Sequence, residues 1–290
     1  MLLTSTSVFS QNTKKIYRKA KHYRKALAEG NYNNEYADIP AFTYQPTEEL
    51  VEFRLKYNLD SVAGEGDEFS KMVNLMSWVN HKIRHDGVSE NPEDKTADAL
   101  ISICEKEDRG VNCRMMATIL NEVYLSMGFY SHFVTCMPKA VNFRDCHVIN
   151  VVYSTQYDKW IWMDPSFEAY VMDMQGIPLS IQEVREKLRA NEKMKVYDKL
   201  HWNDQPYPGG EFYYLQSYMT KNLFRFEMSL HSVSGYESSN QRKERVYLYP
   251  EGYNPGELAL NKKLIFSSVD LYYLTNDQLF WAKPLPLQMQ

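Results

Sequence analysis

Residues 114–127 read as one amphipathic helix, because Met116, Ile119, Leu120, Val123, Tyr124 and Met127 recur at the i, i+3, i+4, i+7 spacing of a single buried face. Gly128 follows as its left-handed stop. Immediately ahead of this helix stands Cys113, and ahead of that the polar loop Arg109-Gly110-Val111-Asn112. A cysteine at a helix N-terminus lies among unpaired N–H groups at the positive end of the macrodipole. Both favour a thiolate and can hold an oxyanion. The plain alternative is a buried cysteine acting as a small apolar residue, and the residues downstream weigh against it.

His147 opens the β-branched run His147-Val148-Ile149-Asn150-Val151-Val152-Tyr153. A turn, residues 154–159, separates it from Trp160-Ile161-Trp162-Met163-Asp164-Pro165. Two such runs form a hairpin, and antiparallel pairing brings the first residue of one strand beside the last of the next. His147 and Asp164 are therefore expected to meet. An imidazole can take a thiol proton and later protonate a leaving group, while a carboxylate fixes its tautomer and stabilises the imidazolium. Taken singly, a sheet histidine or an Asp-Pro turn would be unremarked; the ordered set of cysteine, histidine and aspartate at these three places carries the chemistry.

With Ala117, Leu120 and Gly128 on the helix after Gly110-Val111-Asn112-Cys113, then His147, then Trp162-Met163-Asp164-Pro165-Ser166, the chain resembles the transglutaminase-like family of papain-type cysteine enzymes. The segment Phe69–His85 is similar to the family's leading helix. The resemblance covers about residues 60 to 170. It implies that Cys113 is the nucleophile, His147 the base and Asp164 its orienter, acting on an amide through a thioester with either peptidase-like or cross-linking outcome. One departure stands out. Many members carry an aromatic and then an acidic residue after the histidine, whereas Val148, Ile149 and Asn150 follow here. The change falls on the substrate-facing wall and keeps a non-catalytic binding or structural module of the same fold as the alternative reading.

A chain of 290 residues can bury a substantial core. Its formal net charge of -4 gives no reason to expect nucleic acid, and no apolar run reaches the length of a membrane span. Basic charge is uneven: Lys14, Lys15, Arg18, Lys19, Lys21, Arg24 and Lys25 follow one another with no acid between, interleaved with Ile16, Tyr17, Ala20, Tyr23 and Leu27. This reads as a solvated basic helix, with contact to an anionic surface as the other use. No CxxC pair, His/Cys cluster, EF-hand loop or glycine-rich phosphate fingerprint is found in the sequence, so neither metal nor cofactor is inferred. Beyond Cys113 there remain Cys104, Cys136 and Cys146, an odd number. They read as free thiols, with a Cys136–Cys146 bridge open if the two segments are neighbours.

The expected fold is α+β, a papain-like core whose Cys113 helix packs on an antiparallel sheet bearing His147 and Asp164. Residues 1–10 read either as the remnant of a secretory signal or as a disordered cytoplasmic start, so a secreted or periplasmic location stands beside a cytoplasmic one. Residues 11–46 form a basic helical arm, 47–180 the core, and 181–290 an α+β extension packed on it. Helices are expected after the cap residue Thr47, over Thr96–Cys104, after the capping box Ser180-Ile181-Gln182-Glu183, and over Glu211–Asn222. Strands are expected over His132–Met137, Leu223–Met228, Arg245–Tyr249, Lys263–Phe266 and Gln278–Trp281. The tyrosines of the C-terminal half, among them Tyr207, Tyr213, Tyr214 and Tyr218, read as strand-face packing, with a cleft lining as the other reading. The substrate expected is a peptide or protein amide, and hydrolysis is favoured over amine transfer because no amine site is evident.

Overall fold

The computed structural model describes residues 4–45, 47–141, 146–197, 200–207, 209–254 and 269–285. Helix α1 (Thr4–Glu29) and strand β1 (Thr43–Gln45) lead into α2 (Glu48–Lys56), α3 (Leu59–Ala63), α4 (Glu68–Lys82), α5 (Ala97–Glu107) and α6 (Cys113–Ser126). Strands β2 (Ser131–Met137), β3 (His147–Ser154) and β4 (Lys159–Met163) follow, then β5 (Val171–Met172), α7 (Ile181–Arg189) and the short strands β6 (Lys195–Val196), β7 (His201–Trp202) and β8 (Gln205–Pro206). A π-helix, Phe212–Met219, runs into α8 (Thr220–Asn222). After it come β9 (Arg225–Ser229), β10 (His231–Val233), β11 (Lys243–Leu248), β12 (Val269–Leu274) and α9 (Asp277–Phe280).

Six strands make one sheet in the order β12-β11-β9-β2-β3-β4. The strands that carry the candidate residues are antiparallel as expected, with Asn150 opposite Met163 and Cys136 opposite His147. The far edge differs, because β11 and β12 run parallel. Parallel neighbours need a longer connection than a tight turn, and residues 249–268 lie between the two strands in the sequence. The strand expected at Lys263–Phe266 falls in that connection, outside the described residues.

Both faces of the sheet are covered, so side chains of either parity along β3 are apolar. Val152 joins Ile161 and Met163 in a core shared with helices α2 to α6. Ile149, Val151 and Tyr153 join Trp160 and Trp162 in a second core with α7, the π-helix and β9. Helix α6 lies deep between these layers. Every residue from Met115 to Ser126 is buried, where the sequence pattern had indicated one apolar face. Most of its buried polar groups are paired: Tyr124 Oη donates to Met72 O at 2.9 Å, Asn121 Nδ2 to Ser232 Oγ at 2.9 Å, and the Glu122 carboxylate accepts the N–H groups of Ala97 and Gly235.

The basic arm is part of the packed body. Ala20 and Leu27 are buried, and α1 meets α7, the π-helix and α8. The helix also passes through residue 10 without a break. Arg185 of α7, 1 % exposed, locks this end: its Nε donates to Leu223 O at 3.0 Å, a terminal nitrogen donates to Gly30 O, and its guanidinium lies 4.4 Å from the Tyr32 ring centre. Strand β1 pairs in parallel with β10, and Asn33 N donates to Thr275 O at 2.8 Å.

Three local expectations are corrected or refined. Gln278–Trp281 is not a strand but the helical turn α9, because Asn276 caps it by accepting the N–H groups of Gln278 and Leu279. Thr47 occupies the N-cap of α2 without a side-chain bond to the helix. The leading helix stops at Lys82, and His85 lies beyond it in an extended bridge with Val111.

That bridge depends on Gly110. Val111 N donates to Arg84 O at 3.0 Å and Asp86 N to Val111 O at 2.8 Å, so the two segments run side by side immediately before Cys113. A Cβ at position 110 would sit 2.5 Å from the Arg84 carbonyl oxygen, a backbone atom that has no rotamer with which to withdraw. Gly110→Ala is therefore expected to destabilise the fold by about 1–3 kcal/mol, visible as a melting temperature lower by several degrees. An unchanged melting temperature would show that the bridge yields without cost.

Candidate active site

Asn112 is the N-cap of α6, its Oδ1 accepting Met115 N at 3.2 Å and its Nδ2 donating to Asn91 Oδ1 at 2.6 Å. This fixes the first turn of the helix and places half-buried Cys113 at its head. His147, 1 % exposed, begins β3, and Asp164, fully buried, follows β4. The structure brings these three expected residues together. His147 Nε2 lies 2.7 Å from Asp164 Oδ2, and Cys113 is hydrogen-bonded to the same imidazole, for which Nδ1 is the remaining nitrogen.

The carboxylate is held from several sides. Its Oδ2 also accepts from Tyr214 Oη at 2.8 Å, and its Oδ1 accepts Ser166 N at 3.0 Å. Trp162 Nε1 donates to Tyr214 Oη at 3.3 Å. Backbone bonds between Asp164 and Ala169 close the loop that follows, and Asn80 Nδ2 of α4 donates to Pro165 O at 2.8 Å. The imidazole is boxed by Phe167 and Tyr218, with ring centres 5.4 and 5.3 Å away. With both rings of the box and the carboxylate in place, the histidine has little freedom to rotate.

Tyr214 and Tyr218 are four residues apart on the π-helix, close to one turn of that wider helix, so both reach the same spot. The packing reading of the C-terminal tyrosines thus misses these two. Their i, i+4 spacing in a segment expected to be helical puts them on one face, but nothing local in the sequence says that this face meets Asp164 and His147.

His85 is also missed. Trp202 Nε1 donates to His85 Nδ1 at 2.9 Å, so the neutral ring carries its proton on Nε2. Cys113 is hydrogen-bonded to this second imidazole and to the backbone of Val148. Asn203 clamps the His85 backbone from both sides, accepting its N–H at 2.7 Å and donating to its carbonyl at 2.9 Å. The signal available in the sequence was position alone, since His85 ends the segment that resembles the leading helix.

These contacts set the protonation states. Burial pushes the Cys113 thiol up, but hydrogen bonds from His147 and His85, the charge of His147 and the Val148 backbone outweigh it and bring the thiol down to about 6. For His147 burial acts downward, and the Asp164 carboxylate and the sulfur reverse it, raising the imidazole to about 10. Between those values the pair is thiolate and imidazolium. The other cysteines differ: burial raises Cys104, Cys136 and Cys146, and none of the four is disulfide-bonded.

Residues 56–165 match the family model of the transglutaminase-like superfamily. This core is transglutaminase-like. The matched stretch holds Cys113, His147, Asp164 and His85 and stops before the π-helix that supplies Tyr214 and Tyr218. Among solved structures, a protein of Cytophaga hutchinsonii provisionally named a cysteine protease is similar to the chain, at 15% sequence identity and a TM-score of 0.34. The alignment covers 53% of this chain, which spans about half, 49%, of that one. No curated protein matches the sequence. Among the described residues no helix is long and apolar enough to cross a membrane.

In the transglutaminase-like core, Cys113 is expected to alkylate with iodoacetamide ahead of the other three thiols, with a rate that rises through a midpoint near pH 6, where an unperturbed thiol titrates near 8.5. His85→Ala removes a donor to the thiolate, so it should move that midpoint upward. Mass-spectrometric mapping of labelled peptides against pH measures both effects. Equal labelling of all four cysteines, or a midpoint unmoved by His85→Ala, would contradict the electrostatics described.

Proposed function

We propose that the chain is a cysteine enzyme acting on a peptide or protein amide, with Cys113 as nucleophile, His147 as general acid and base, and Asp164 as the group that orients and charges the imidazole. One observation carries this reading: a half-buried cysteine at a helix start is hydrogen-bonded to an imidazole whose Nε2 is held at 2.7 Å by a buried carboxylate. The superfamily match over residues 56–165 supports it.

The Cys113 thiolate attacks the amide carbonyl carbon, and the carbonyl electrons move onto oxygen. The Asn112 cap uses the Met115 N–H, so the Cys113 and Arg114 amides at the open end of the helix are available to the oxyanion. Imidazolium His147 gives its proton to the departing nitrogen, the C–N bond breaks, and a thioester remains. Neutral His147 then takes a proton from water, whose oxygen attacks the thioester. Collapse releases the carboxylic acid and returns the sulfur. Asp164 keeps Nε2 protonated throughout, and Tyr214 shares the carboxylate's charge, so the proton stays on the ring. Hydrolysis is favoured over transfer to an amine, since water needs no site of its own.

Cleavage of a fluorogenic peptide library by the full chain tests the proposal. Cys113→Ala and His147→Ala should each lower kcat/KM by at least about 1000-fold, and Asp164→Asn should leave a measurable residue. Tyr214→Phe, which keeps the ring and removes the donor, should cost about tenfold or less, mainly in kcat. A fluorescent primary amine added to the assay reports transfer directly. If Cys113→Ala retains full activity the assignment fails, and if product carries the amine in preference to water the hydrolytic preference fails.

A further inference from the structure

Apart from Cys113, His147 and Asp164, a second group of ligating side chains is assembled from distant parts of the chain. His81 comes from the last turn of α4, Glu168 from the Asp164–Ala169 loop, and His201 from β7. One donor atom from each of the three lies within 4.8 Å of the others. Asp204 stands beside them, its Oδ1 3.9 Å from His81 Nε2.

The chemistry of each side chain is that of a metal ligand. His81 Nδ1 sits 2.8 Å from Ser77 O, and a carbonyl oxygen only accepts, so Nδ1 carries the proton and Nε2 presents a lone pair. A backbone carbonyl behind one nitrogen is the usual way in which a ligating histidine is oriented. His201 Nε2 is 2.6 Å from Glu168 Oε2, while its Nδ1 is buried with no hydrogen-bond partner among the described residues. That ring therefore has binding capacity the protein itself does not use. Glu168 is 4 % exposed, and its backbone is left-handed (φ 49°), a strained conformation for a residue with a side chain. A buried carboxylate held by strain against two imidazoles is poorly explained by packing alone.

The second carboxylate is delivered just as specifically. β7 and β8 are joined by Asn203-Asp204, both with positive φ (50° and 59°), the two-residue turn that suits a tight hairpin. Asn203 and Trp202 fasten this hairpin to His85, and Asp204 then overhangs His81. A cavity of about 590 Å³, lined in part by Ser77, His81, Glu168, His201 and Asp204, opens to solvent and provides an entry path.

We propose that His81, Glu168 and His201, with Asp204 as fourth ligand, form a binding site for a borderline divalent transition-metal ion such as zinc. Two imidazoles and two carboxylates are a ligand set that such ions accept, in preference to calcium or magnesium, which take oxygen ligands. The donor atoms of His81, Glu168 and His201 lie within 4.8 Å of one another and Asp204 Oδ1 lies 3.9 Å from His81 Nε2, so small side-chain adjustments bring them to ligand distances of about 2.0–2.2 Å from a central ion. The ligands are scattered over residues 81 to 204, which is why no spacing motif announces them. Bound metal would join α4, the Asp164 loop and the hairpin that holds His85, so the site is structural and distinct from Cys113.

Zinc titration of the chelator-treated full chain, in competition with a chromophoric chelator, tests the site. Cys113→Ser is used as the parent so that the reactive thiolate does not itself take up metal. The expected result is one equivalent bound, with His81→Gln and His201→Gln each weakening binding by at least about tenfold, and zinc raising the melting temperature of the parent but not of these variants. His81 is largely exposed, so His81→Gln should keep the metal-free melting temperature and circular dichroism of the parent, and it is the deciding variant. No saturable uptake, or uptake that survives His81→Gln and disappears with His147→Gln, would overturn the proposal.

Discussion

Asp164 has no contact with solvent, and a carboxylate in that position is tenable only if donors replace the water it has lost. His147, Tyr214 and Ser166 do so, and each donor recruits another part of the chain. His147 brings the central sheet, Tyr214 the C-terminal layer, and Ser166 the tight loop that α4 holds through Asn80. Packing of the helical layer, the sheet and the C-terminal layer thus converges on one anion. Removing any donor leaves a buried polar group unpaired, an imbalance of about 1–3 kcal/mol or more for a charged partner, so integrity of the site and of the fold are coupled.

The part of this arrangement that was legible in the sequence is the part encoded by short-range patterns. The Cys113 helix shows itself by its 3.6-residue period and its cap. The His147–Asp164 hairpin follows from two β-branched or aromatic runs about a turn. Ser180 and Glu183 announce α7 by their capping box, which is fully formed. Each of these rests on contacts within a few residues. The second imidazole escaped because His85 reaches the sulfur through a bridge between residues 84–86 and 110–111, whose only local trace is the glycine at 110. Gln278–Trp281 misled for the opposite reason: its apolar pattern suits a strand, and one capping asparagine overrides it.

Charge is managed in the same way beside Cys113. Arg114, next in sequence to Cys113, is bound by Glu237 at 2.9 Å, and Arg245 bridges Glu227 and Glu237. Burial raises the Glu237 carboxyl, but the two guanidinium groups overcome this and bring it down to about 2. The guanidinium of Arg114 also lies 5.0 Å from the Phe133 ring centre. A cation directly beside the nucleophile is in this way neutralised by the residue 237 turn, and the thiolate is left to the two imidazoles. The C-terminal strands therefore act on the electrostatics around Cys113 through Arg114.

The π-helix of residues 212–219 also has a meaning for how this chain can vary. An α-helix advances about 100° per residue, so deleting one residue from this segment would restore ordinary winding and swing one of Tyr214 and Tyr218 off its target. Substitutions elsewhere in the segment leave that geometry alone. The helix therefore measures length rather than composition: chains that share the Cys113, His147 and Asp164 elements but differ by one residue here would have to support the carboxylate by some other donor, and their imidazole would lose one wall of its box.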